Sequence, residues 1–302
     1  MSDTRINKER PLTPEEKWEQ ATIANNFIFY KVMRHNPDVC KELLEILLEI
    51  EIDRIEMRGE EVIETDFGSK GIRLDIYAKN EKDAYNIELQ ATDTKELPER
   101  ARYYQGTIDV DCLKSGQTYR ELKNSYVIFI CIPDIFQKGL PCYHFENLCL
   151  EDNSLRLNDR AYKIFYIADN YDKILNEKQK EFLKLVAGQK AGDNFSKKVA
   201  RLAEDAKHNT QWKRQYMEWE RQRAYDFESG KEAGIAIGKE AGIAIGKEAG
   251  IAIGKEAGAE QKAVEAAHSL YENGVSIELI AKSLQMSEDQ IKEIVKDVVV
   301  TA

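Results

Sequence analysis

The chain has 302 residues, 32% of them charged and 42% hydrophobic, with a formal net charge of −10. That is room for one large domain or for a medium domain with accessories, and enough apolar residues for a core, which excludes wholesale disorder. No run approaches the ~20 apolar residues of a membrane-spanning helix, and the opening MSDTRINKERPLTPEEKWEQ carries no secretory pattern. The five cysteines (Cys40, Cys112, Cys131, Cys142, Cys149) form no C-x-x-C pair, so the expectation is a soluble cytoplasmic protein with reduced thiols.

In chain order, residues 1–20 read as a charged arm. Helices are predicted over 22–35 and from Pro37 onward, where Val39, Leu43, Leu44, Ile46, Leu47 and Ile50 make an amphipathic stripe behind an Asn-Pro start. From about residue 54 to 90 the period changes to two. RIEMRGEEVIE, IRLDIYA and AYNIELQ predict three strands, with a polar turn KNEKD between the last two. Pro98 opens a helix that ends at Lys114-Ser115-Gly116. YVIFICI, at 126–132, predicts a strand covered on both faces, and YKIFYI, at 162–167, a further one. The order helix, three strands, helix, strand predicts a mixed sheet: an antiparallel meander, then a helical crossover to a parallel fourth strand. This α/β domain is expected over 21–170.

Residues 171–229 read as charged helix. Between Lys197 and Arg223 eight Lys or Arg face four Asp or Glu, with Trp212, Tyr216 and Trp219 interleaved. That pattern suits either a solvated helix with one aromatic face or contact with nucleic acid. At 230–258 the octapeptide GKEAGIAI occurs three times, followed by GKEAG, so that glycine recurs every fourth residue. Each such glycine costs a helix about 1 kcal/mol relative to alanine, which predicts a marginal helix or spacer without catalytic residues. Residues 259–302 read as three short helices, with a Ser287/Gln290 capping box opening the last. They resemble a helix-turn-helix, but the last helix carries Glu288, Asp289, Glu293 and Asp297 against Lys292 and Lys296. That sign suits a protein–protein or dimerisation module better than a phosphate-lined groove.

The residues with chemistry to offer lie at 71–90. If the hairpin turns between Glu81 and Lys82, paired residue numbers sum to 163. Asp75 then faces Glu88, and Arg73, Asp75, Asn86, Glu88 and Gln90 share one face. Opposed carboxylates about 5 Å apart repel, and a hard divalent cation between them resolves the conflict. Cys142, His144 and Cys149 fit no common zinc spacing and lack a fourth ligand.

Asp75 followed by Glu88-x-Gln90 on the next strand resembles the PD-(D/E)XK nuclease signature with glutamine in place of lysine. With the blocks SKGIRLDIYA, YNIELQ, ERARYYQG, LKSGQTYRELK and YVIFICI in this order, residues 25–171 resemble the Rpn family of recombination-promoting nucleases, also labelled PD-(D/E)XK-family transposases. The resemblance implies a restriction-endonuclease-like core, a mixed sheet flanked by helices, with a helical C-terminal extension. It also implies metal-dependent hydrolysis of DNA phosphodiesters, promoting recombination or acting on mobile DNA. Asp75, Glu88 and the Leu89 carbonyl would hold Mg²⁺, or another divalent cation such as Mn²⁺ or Ca²⁺. Gln90 would position water but cannot offer a positive charge, which moves electrostatic work onto the metal.

Lys70, Arg73, Arg100 and Arg102 would contact DNA, Arg100 having an ion pair with a nearby acid as its other reading. Tyr104 reads as core. Glu45 or Glu49 of the first core helix would be a further acid if one joins the site. A homodimer through the C-terminal helices follows from one such site cutting one strand. The other reading is a non-catalytic DNA-binding or assembly protein that keeps the nuclease fold.

Overall fold

The computed structural model describes residue 10, residues 12–57 and residues 76–297. The chain divides into two compact units, Met1–Arg221 and Gln222–Ala302.

The first unit is built on one mixed sheet of six strands in the order β1-β2-β3-β4-β6-β5. Strands β1 (Glu56–Met57), β2 (Ile76–Lys79) and β3 (Asp83–Gln90) run antiparallel. Helix α4 (Leu97–Cys112) crosses over to β4 (Asn124–Cys131), which lies parallel to β3. Strand β6 (Ala161–Ile167) continues in parallel, and β5 (Cys142–Phe145) closes the far edge antiparallel to it. The expected meander and crossover are present. The short β5, half of whose residues are exposed, carries too little apolar alternation to be visible in the sequence.

Alternation along the strands sorts the core into two layers. Tyr85, Ile87, Leu89, Ile128 and Ile130 face helices α2 (Asn26–His35), α3 (Pro37–Leu48), α5 (Glu177–Val186) and α6 (Asn194–Lys207). Ala84, Val127, Phe129, Cys131 and Phe165 face Leu97, Ala101, Tyr104 and Ile108 of α4. With both faces covered, β4 is buried almost end to end.

This layering extends the sheet unit past the expected limits of 21–170 on both sides. Phe182, Leu183, Val186, Phe195, Val199, Ala203 and Ala206 join the core, as does Tyr216 of helix α7 (Thr210–Glu272). Trp212 and Trp219 pack against that core, so the aromatics of the basic stretch are structural. Upstream, α1 (Pro14–Gln20) starts from a Thr13/Glu16 capping box and buries Trp18 completely. Residues 14–20 are thus part of the fold, not an arm.

In the second unit the GKEAGIAI repeat lies wholly within α7, and every residue of 230–258 is exposed. The reason is geometric. At 3.6 residues per turn an eight-residue repeat advances about 80° around the axis, so its isoleucines collect on no single face and none is drawn into a core. Further on, Ala267 of α7 packs with Ile280 and Ala281 of α8 (Ile277–Leu284) and with Ile291 and Val295 of α9 (Glu288–Val295). Gly274 at φ 83° ends α7's last turn, Gln285 at φ 55° ends α8, and the Ser287/Gln290 capping box opens α9 as the sequence predicts.

Candidate active site

The β2–β3 register is the one derived from the sequence: Ile76 pairs with Ile87, Tyr77 with Asn86, Ala78 with Tyr85 and Lys79 with Ala84. Asp75, Lys70 and Arg73 lie outside the described residues. On β3 the two-residue period sends Asn86, Glu88 and Gln90 to the α4 face, while Ile87 and Leu89 go to the other. The carbonyls alternate as well. Gln90 O accepts from Ile132 N (3.0 Å) beyond β4, and Asp83 O accepts from Asn80 N (2.9 Å) on the β2 side. The Leu89 carbonyl, in phase with Asp83, is therefore directed to the β2 side.

Helix α4 starts at Leu97-Pro98, where a proline without N–H is tolerated in the first turn. That start places Arg100 beside the end of β3. One Arg100 Nη donates to Gln90 Oε1 (3.0 Å), and the other donates to Glu88 Oε2 (3.1 Å) and to the Tyr104 hydroxyl (3.1 Å). The guanidinium lies 5.5 Å from the Tyr104 ring centre and 5.6 Å from that of Phe129, within cation–π range. The Glu88 side chain is 3% exposed and that of Arg100 is 30% exposed, so the cation stands on the solvent side of a buried carboxylate. Of the two readings of Arg100, the ion pair is present. Arg102, two residues on, is exposed. Tyr104 is core, as expected, with its hydroxyl turned to Arg100.

Glu88 is held from its other oxygen too, by Asn86 Nδ2 (3.2 Å). Asn86 is fully buried, and among the described residues its Oδ1 has no hydrogen-bond partner. Gln90 is fixed at both ends of its amide, since Nε2 donates to Thr92 O (2.6 Å) while Oε1 receives Arg100. Farther along the same face Gln105 Nε2 donates to Ser125 O (3.1 Å) and to the Ser125 hydroxyl, which in turn reaches Asp109 (3.3 Å). Burial raises the pKa of Asp109. The Tyr77 hydroxyl donates to Asp111 (2.8 Å), and burial also raises that phenol. Cys131, at the C-terminal end of β4, has its thiol pushed up to about 12, chiefly by burial.

Glu45 and Glu49 stand on the opposite, α3 side of the sheet, away from Glu88. Glu45 accepts from Ile52 N (2.9 Å) and Lys41 (2.8 Å), and Glu49 from Asn176 (2.9 Å) and Gln179 (3.2 Å). Both are engaged in tying α3 to its neighbours, and neither joins the Glu88 cluster. A groove between α3 and α5, lined by Glu42, Glu45, Asn176 and Lys178, also lies on that side. Among the described residues no set of three His, Cys, Asp or Glu is arranged around a metal. The donors that β3 itself offers at this end are the Glu88 carboxylate, the Asn86 Oδ1 and the Leu89 carbonyl, all oxygens. That chemistry fits a hard divalent cation and not a thiolate-seeking one. Asn86 and the Tyr104 hydroxyl were not singled out as site residues by sequence reasoning. Asn86 had a signal, two residues from Glu88 on the same face, whereas the Tyr104 hydroxyl depends on how α4 docks.

No curated protein and no solved structure shows significant similarity to the chain. Residues 25–229, more than half of the chain and all of the sheet unit from α2 onward, match the model of the PD-(D/E)XK nuclease family transposase. The chain therefore belongs to the PD-(D/E)XK nuclease family transposases, an assignment consistent with a six-stranded mixed sheet and a Glu-x-Gln strand end facing its crossover helix.

Proposed function

We propose that the protein is a metal-dependent DNA endonuclease that hydrolyses phosphodiester bonds, acting in DNA recombination or on mobile DNA. The observation that carries this reading is the buried Glu88 carboxylate, held at the end of a central strand beside Gln90 by Asn86 and Arg100. Its support from β2 is the register sum of 163 over four pairs, the register from which the sequence sets Asp75 opposite Glu88. Asp75, Glu88 and the Leu89 carbonyl would hold Mg²⁺, or Mn²⁺ or Ca²⁺ in its place. When bound, such a cation supplies Lewis acidity to the phosphate and lowers the pKa of the attacking water.

The chain's own residues do the rest. Glu88 is paired through one oxygen with the Arg100 guanidinium and through the other with Asn86, which limits its rotation. Gln90, fixed by Arg100 and Thr92, offers a hydrogen bond that orients a water without moving a proton. Lys70, Arg73 and the exposed Arg102 contact the DNA phosphates, a local basic set on an acidic chain. The C-terminal helices pair two chains in the cytoplasm, and the repeat serves as their spacer.

The test is supercoiled plasmid incubated with the full chain, with and without Mg²⁺, beside Glu88→Ala and Asp75→Ala. Mg²⁺-dependent nicking that both folded variants lack supports the proposal. Full cleavage by both variants would refute the site. Salt-sensitive DNA binding without scission under Mg²⁺, Mn²⁺ or Ca²⁺ would replace it with a binding-and-assembly role. Light scattering of the chain reports the dimer, and a monomeric mass would overturn it.

A further inference from the structure

Position 90 is an amide where the family signature carries a lysine, so the strand itself brings no positive charge to the site. The structure holds one a few ångströms away. Arg100 touches Gln90 Oε1 at 3.0 Å and Glu88 Oε2 at 3.1 Å, and its third contact, to the Tyr104 hydroxyl at 3.1 Å, comes from one turn along its own helix. Its guanidinium also rests against a rigid aromatic stack. Tyr104 lies over Phe129 (ring centres 6.2 Å apart, 14° between planes), and Phe129 lies over Phe165 (5.2 Å, 7°). A surface arginine that meets DNA keeps its rotamer freedom and a hydrated head, but this one is held, among the described residues, by hydrogen bonds to Gln90, Glu88 and Tyr104 and by two rings.

From this geometry we propose that Arg100 is the resident cation of the site. Brought in by α4, it supplies the fixed positive charge that the amide at position 90 lacks, and it positions Glu88 and Gln90 with one planar fork. The inference rests on the nuclease reading and adds to it a residue that acts through the two site side chains instead of through DNA affinity. Two consequences separate it from a structural role. Removing the charge relieves repulsion against a divalent cation, so metal affinity rises or holds while cleavage falls. A lysine placed at 90 can also replace the lost charge from the strand side.

The experiment compares the wild-type full chain with Arg100→Gln, Arg100→Lys and the double variant Arg100→Gln/Gln90→Lys. It measures plasmid nicking at saturating DNA with Mg²⁺, Mn²⁺ affinity by titration calorimetry without DNA, and melting temperature. Arg100→Gln is expected to lose about 10²–10³-fold in nicking rate, the scale of one preorganised electrostatic donor. Its Mn²⁺ should bind equally well or up to about tenfold more tightly. Arg100→Lys keeps the charge but not the fork, and should lose about tenfold. The double variant should regain at least about tenfold over Arg100→Gln. Nicking by Arg100→Gln within about twofold of wild type would overturn the inference and leave the nuclease reading intact. So would joint loss of Mn²⁺ affinity and melting temperature, or a folded double variant with no recovery. A wild-type chain that nicks nothing overturns both.

Discussion

Trp18 offers a direct measure of how far the fold extends beyond the stretch that matches the family. It sits in α1 among charged residues, yet its side chain is fully buried. Its ring centre is 5.1 Å from that of Tyr216 and 6.1 Å from that of Phe27, and its Nε1 donates to Lys207 O at 3.2 Å. Truncating a buried tryptophan to alanine removes transfer free energy and leaves a cavity, about 3–5 kcal/mol together. Loss of the indole hydrogen bond adds about 1 kcal/mol. Trp18→Ala should therefore cost about 4–6 kcal/mol, a large part of the 5–15 kcal/mol of a typical domain. Trp18→Phe keeps most of the ring contacts and loses the donor, so it should cost about 1–2 kcal/mol. Urea unfolding followed by circular dichroism at 222 nm and in the aromatic region reads both. A loss below about 1 kcal/mol for Trp18→Ala, at unchanged m, would show that residues 14–20 are a detachable arm after all.

Three further outcomes follow from the same structure. In the repeat, a Cβ built on Gly234, Gly242 or Gly250 meets nothing within 4 Å. Each Gly→Ala change should therefore stabilise α7 by up to about 1 kcal/mol and slow amide exchange across 230–258, and unaltered exchange would speak against a helix there. Burial raises the pKa of Asp134, but hydrogen bonds from Gly139, Phe136 and Gln137 N–H and from the Tyr143 hydroxyl outweigh it, and the net shift is downward. A lowered carboxyl pKa stabilises the fold above the ordinary aspartate range and ceases to do so as pH falls through the folded value. Urea midpoints measured from pH 6 down to pH 3 should fall more steeply for wild type than for Asp134→Asn, and parallel curves would refute this. Finally, burial pushes the thiols of Cys40 and Cys131 up to about 12. Iodoacetamide at pH 8 should leave both unmodified in the native chain and label them in urea, a contrast read by mass spectrometry.

The local pattern by itself determined a good deal of this protein. Alternating residues at 84–90 set which side chains leave β3 together, and the polar turn at 80–82 set the register, because a one-residue slip would have exposed Ile76, Ile87 and Leu89. The unbroken apolar run of β4 announced a strand covered on both faces. The five sequence blocks were enough to name the family. Other features were decided only when the elements packed. The charges of α1 and of residues 197–223 mask narrow apolar stripes that become core only once the sheet offers a face for Trp18, Val199 and Tyr216. Glu45 and Glu49 look as eligible as any acid in the chain, and the side of the sheet to which α3 docks removes them from Glu88. Arg100 is ten residues from Gln90, a separation with no periodicity to read. Its two alternatives were separated by the crossover, which lays the first turn of α4 over the end of β3 and sets one guanidinium against both Glu88 and Gln90.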